Sequence, residues 1–87
     1  MTSEQIVRFL EPRHIEKHPV RINFKARNPV DGVFIRTRDY EELKSKNFWR
    51  IVSEAELERW RKTGDMRLVR IFNGTEFSRL TVGRGQA

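Results

Sequence analysis

The sequence predicts a small, mainly β domain of the α+β class. Its expected form is a strongly bent five-stranded antiparallel sheet or barrel, with an N-terminal helix and one helix inserted between strands 3 and 4. Three observations lead there. The chain has 87 residues, too few for two independent cores, so residues 1–87 form a single domain. Short runs of apolar residues alternate with polar ones at a period of two, the mark of half-buried strands, and turn residues separate the runs. Two stretches carry instead the three-and-four spacing of an amphipathic helix.

Residues 3–10 are the first of these. Thr2 and Gln5 stand at capping-box spacing, and Ile6, Phe9 and Leu10 share a face. Pro12 breaks a regular helix, while a further turn through His14 to His18 is possible before Pro19. This makes residues 1–18 an N-terminal helical segment and 19–82 the β-rich body. Val20, Ile22 and Phe24 alternate with Arg21, Asn23 and Lys25 in the first strand. Asp31-Gly32 leads into a second strand through Val33-Phe34-Ile35, continuing to Arg36 and Arg38. Residues 40–44 are ambiguous, and Phe48 to Val52 form a third strand. Residues 53–63 are the clearest helix. Ser53 and Glu56 have capping-box spacing, glutamates stand early, Arg59, Arg61 and Lys62 stand late, and Gly64 stops it. Residues 68–72 and 75–82 are the last two strands. Between them Asn73-Gly74 predicts a type I′ hairpin, which needs positive φ at both positions. Residues 83–87 read as a flexible tail.

Eighteen Lys and Arg against 12 Asp and Glu give a net charge of +6, and 13 of the 18 are Arg. Arginine's flat fork suits phosphates, carboxylates and aromatic faces. RNA, DNA or an acidic protein surface fits this balance, and so does a solvated surface laced with Arg–Glu pairs. With no Cys there are no disulfides and no thiolate metal sites. The N-terminal apolar pattern is broken by Arg8, so neither a signal peptide nor a membrane span is expected, and the default is a cytoplasmic protein.

Tyr40 and Lys44 match the Tyr-x-x-x-Lys pattern of short-chain dehydrogenases, but no Gly-rich loop is present to hold a dinucleotide phosphate. His14 and His18 have the spacing of paired metal ligands on a helix, without further ligands elsewhere. No nucleophile motif appears. The reading is therefore of a non-catalytic protein without cofactor or metal. What remains is a basic surface interleaved with Phe24, Phe34, Phe48, Trp49, Phe72 and Phe77, which stack on bases if exposed and form the core if buried.

In this order of elements, Pro19-Val20-Arg21-Ile22-Asn23-Phe24, then Val30-Asp31-Gly32-Val33-Phe34-Ile35 and Asp39, resembles the Sm-like (Hfq-like) family. There an N-terminal helix precedes a small Sm/SH3-like barrel, with a Gly at a sharp bend and an Asp ending a hairpin. Arg70-Ile71-Phe72-Asn73-Gly74 resembles the family's second motif half. Glu41 and Leu43 stand where an aromatic residue and an Asn bind uracil in the family. The resemblance implies RNA binding in a ring or other homo-oligomer. The candidate nucleic-acid residues are Lys25, Arg27, Arg36, Arg38, Asp39, Arg70, Asn73 and Gly74. The alternative is a protein–protein interaction module without nucleic-acid activity.

Overall fold

A computed structural model describes residues 1–12 and 18–82. The tail 83–87 and residues 14–17 of the expected helical turn lie outside the described residues. The elements are α1 (Ser3–Leu10), β1 (Val20–Phe24), β2 (Val30–Phe34), α2 (Tyr40–Ser45), β3 (Phe48–Ser53), α3 (Glu54–Thr63), β4 (Arg70–Asn73) and β5 (Phe77–Val82). Single 3₁₀ turns occupy Met66–Leu68 and Gly74–Glu76. The capping box of α1 forms as its spacing predicts. Thr2 Oγ1 accepts from the Gln5 amide at 3.2 Å, and Gln5 Oε1 accepts from the Thr2 amide at 2.9 Å. At the end of α3, Gly64 adopts φ 66° and its N–H donates to the Trp60 carbonyl at 2.7 Å, the left-handed stop expected of glycine there.

The strands form one antiparallel sheet in the order β4-β3-β2-β1-β5. It bends strongly enough for Phe24 on β1 to approach Phe72 on β4 with ring centroids 5.7 Å apart, although two strands separate them. Gly32 permits this bend. It lies inside β2 opposite Val20 and Ser53, and a Cβ there would meet Ile51 Cγ2 at 2.7 Å and the Val52 carbonyl at 2.8 Å. Asp31-Gly32 is therefore strand, not a lead-in turn, and β2 ends at Phe34, which moves Arg36 and Arg38 into the loop before α2.

Strand alternation sorts the apolar residues into two cores. One face collects Val20, Ile22, Phe24, Phe34, Trp49, Ile51, Phe77 and Leu80, covered by Ile6 and Leu10 of α1. The other face carries Val33, Ile35 and Val52 under Leu57 of α3, with Trp60 packed against them. Fully burying each such side chain contributes on the order of 2 kcal/mol. Four of the six candidate stacking aromatics, Phe24, Phe34, Trp49 and Phe77, are thus core, while Phe48 and Phe72 are half-buried.

The Asn73-Gly74 hairpin does not form. Its flanking strands lie at opposite edges of the sheet and do not pair. Asn73 has φ −88°, and among the described glycines only Gly64 has positive φ. The chain must cross from one edge to the other over the end of the bent sheet, and the 3₁₀ turn Gly74–Glu76 makes that crossing. Asn73 caps this turn, its Oδ1 accepting from the Thr75 amide at 3.0 Å. Gly74 is required there by space, because a Cβ would overlap Asn47 Oδ1 and meet Ile6 Cδ1 at 2.7 Å. The side-chain cap expected from Ser53 is also absent. As the last residue of β3, paired with Gly32, Ser53 follows the pleat of the sheet and lines a groove instead of bonding the first turn of α3.

Candidate nucleic-acid interface

At the end of β3, where the chain enters α3, the bent sheet leaves an open groove of about 230 Å³. Its floor is apolar, formed by Val30, Ile51, Leu68 and Phe72, and its rim carries Arg27, Arg67, Arg70, Ser53 and Glu56. Each arginine arrives by a different route. Arg27 belongs to the turn between β1 and β2, and its guanidinium lies 4.9 Å from the Phe24 ring centroid and 5.7 Å from that of Phe72. That cation–π contact orders the side chain across the aromatic floor. Arg70 stands on the edge strand β4 opposite Ile51. Among the described residues it has no acidic partner within salt-bridge distance, so its charge faces solvent at the groove.

Arg67 is held by its own turn. Asp65 caps Met66–Leu68, its Oδ1 accepting from the Arg67 amide at 2.9 Å. The Arg67 guanidinium then returns to the same carboxylate at 3.1 and 3.0 Å. Hydrogen bonding from Arg67 lowers the Asp65 pKa, and Asp65 raises that of Arg67. The pair fixes Arg67 in place and offsets part of its charge.

Of the sequence candidates, the structure brings Arg27 and Arg70 together at this groove. Arg36, Arg38 and Asp39 lie around the start of α2. Arg36 sits 5.0 Å from the Tyr40 ring centroid, and Arg38 is exposed. Asp39 accepts from Arg50 Nη2 at 2.7 Å and Nε at 3.3 Å, and from the Thr37 hydroxyl. The Arg50 hydrogen bonds, then that of Thr37, pull its pKa to about 2, so Asp39 fastens the loop to β3. Lys25, Asn73 and Gly74 meet the crossing between β4 and β5. The Lys25 amide donates to the Glu76 carbonyl at 3.0 Å, and Gly74 is buried.

The sequence places the start of the fourth strand at residue 68, just past Arg67, and does not single out Arg67, Glu56 or Phe72 as neighbours at one site. The Asp65-x-Arg67 spacing is the signal that could have found the Arg67 turn, because Asp commonly caps its own backbone two residues on. Nor does the sequence mark Asn47, in a polar break, or Arg50, within the third strand, as a residue that organises the structure. Asn47 is the one described non-glycine residue with positive φ, at 63°. It bonds the Trp49 indole at 2.8 Å and the Met1 carbonyl at 2.9 Å. Lone hub residues of this kind leave no periodic trace in a sequence.

Tyr40 and Lys44 do share one face of α2, with Lys44 Nζ 5.6 Å from the ring centroid. Burial raises the Tyr40 pKa, whereas proton transfer by a Tyr-x-x-x-Lys pair needs it lowered. The ring packs edge-on against Trp49 at 6.1 Å. His14 lies outside the described residues. No helix among the described residues is long and apolar enough to cross a membrane. Compared with family models, curated proteins and solved structures, the chain finds no match.

Proposed function

We propose that this chain is a non-catalytic domain of Sm-like architecture that binds single-stranded RNA at the Arg27–Arg67–Arg70 groove and assembles with copies of itself through its sheet edges. The observation that carries the reading is Arg70, a cation without an acidic partner among the described residues, set beside an aromatic floor. Guanidinium groups around a half-buried aromatic ring, that of Phe72, suit a phosphate backbone with an unstacked base. The strand order and the Phe24–Phe72 approach support a barrel-like curl. Among the described residues both edge strands are unpaired on one side, and each carries a half-exposed aliphatic residue, Ile71 at 51% and Val82 at 52%.

Fluorescence anisotropy with short U-rich and A-rich RNAs over a salt series tests the binding. Each phosphate engaged adds about −0.7 to the slope of log affinity against log salt, so Arg70→Gln should flatten the slope by about that amount. Absence of binding at low salt refutes the proposal. Sedimentation tests the assembly, where a monomer at all concentrations refutes the self-pairing. The second reading, a protein-interaction module, rests on the same open edges. It gains if the protein copurifies with one protein partner and no nucleic acid.

A further inference from the structure

The geometry points to Glu56 as the residue that reads the base: the groove takes one unstacked nucleobase bearing an amino group, in preference to uracil. This inference rests on RNA binding at the groove and adds the identity of the base. A carboxylate among three arginines is the feature to be explained. Against a phosphate backbone Glu56 is repulsive, and it weakens whatever the arginines gain there. Its one ion pair among the described residues is with Arg59, one turn along α3, at a loose 3.7 Å, and 41% of its side chain is exposed. A carboxylate has about four acceptor sites, so most of that capacity is free for a ligand.

Each part of a nucleotide has a place. The groove, about 230 Å³, falls below the ~300 Å³ at which drug-sized pockets begin, which suits one base and not a stacked pair. Phe72 supplies an apolar floor, and the Arg27 guanidinium, already lying over Phe24 and Phe72, offers a flat face for stacking. Arg67 and Arg70 on the rim take the phosphate. Glu56, at the start of α3, then meets the base edge. An exocyclic amine donates to a carboxylate, as cytosine N4 does, whereas the uracil carbonyl at the same position is repelled. Glu56 thus converts a general phosphate groove into a discriminating one.

The test compares short oligocytidine with oligouridine by anisotropy at one low salt concentration, using the wild type, Glu56→Gln and Arg70→Gln. Oligocytidine should bind the wild type about five- to tenfold more tightly, the lower part of what one base contact supplies. Glutamine both donates and accepts, so E56Q should bind the two oligonucleotides alike. R70Q should weaken both equally and preserve the ratio. Equal affinities in the wild type, or an unchanged ratio in E56Q, overturn the base reading and leave RNA binding standing. No binding of either oligonucleotide overturns both. Polyglutamate of matching length bound as tightly as oligocytidine marks an acidic-protein site, and likewise overturns both.

Discussion

Replacing Asn47 by Ala removes a side chain that ties the residues at the start of α1 to β3, while its backbone carbonyl still accepts from the Gly74 amide of the β4–β5 crossing. Asn47 Oδ1 accepts from Trp49 Nε1 at 2.8 Å, and its Nδ2 donates to the Met1 carbonyl at 2.9 Å. Trp49 is 2% exposed, so without Asn47 its indole N–H has lost its partner away from water. Leaving a buried donor unsatisfied costs about 1–3 kcal/mol. The backbone adds to this, because Asn47 has φ 63° and Asn tolerates that region better than Ala, by about 1 kcal/mol. The sum is about 2–4 kcal/mol, against a total stability of about 4–13 kcal/mol for a domain of this size. Urea unfolding followed by Trp fluorescence and far-UV circular dichroism measures the loss. The midpoint should fall with the slope m unchanged. Asn47→Gly should recover the backbone part alone, and Asn47→Ala should cost less in a Trp49→Phe background than in the wild type, since the donor it would strand is then already gone. A stability for Asn47→Ala within about 0.5 kcal/mol of wild type, the range of an ordinary surface substitution, would refute the hub role.

Gly74→Ala should destabilise by about 1–3 kcal/mol in the same assay, because its methyl must displace Asn47 or Ile6 in a packed site. Ser53→Ala should change stability by less than about 0.5 kcal/mol, where a working N-cap would lose about 1 kcal/mol. Asp39 has its pKa lowered to about 2 by Arg50 and Thr37. Its contribution to stability is therefore full above its unfolded pKa of about 4 and is lost as pH falls toward 2. Asp39→Asn should flatten that acid limb of the stability profile, and an NMR titration of the Asp39 carboxyl should show a midpoint well below 3.

Most of the fold was legible because it rests on local chemistry. The α1 capping box, the period of two from Val20 to Phe24 and the α3 stop at Gly64 each depend on residues within a few positions of one another. The candidate site was less legible. Arg27, Arg67 and Arg70 come from a turn, a 3₁₀ helix and an edge strand, and only the bend of the sheet brings them to one groove. Arg36 and Arg38 look equally cationic in sequence, yet β2 ends before them and they stand in the loop before α2.

Asn73-Gly74 shows where the division falls. The dipeptide alone determines that the chain turns, since Asn caps its own backbone readily and Gly has no Cβ to obstruct a close approach. Which strands the turn joins is not a local property. The edges of the sheet are set by which strands pair, and here β5 finds β1 while β4 finds β3. With its flanking strands on opposite edges, the turn becomes a 3₁₀ crossing packed against Asn47 and Ile6. Composition, periodicity and capping spelled out the elements and their order. Long-range strand pairing and the packing of buried side chains decided the edges, the groove and the arginines that meet there.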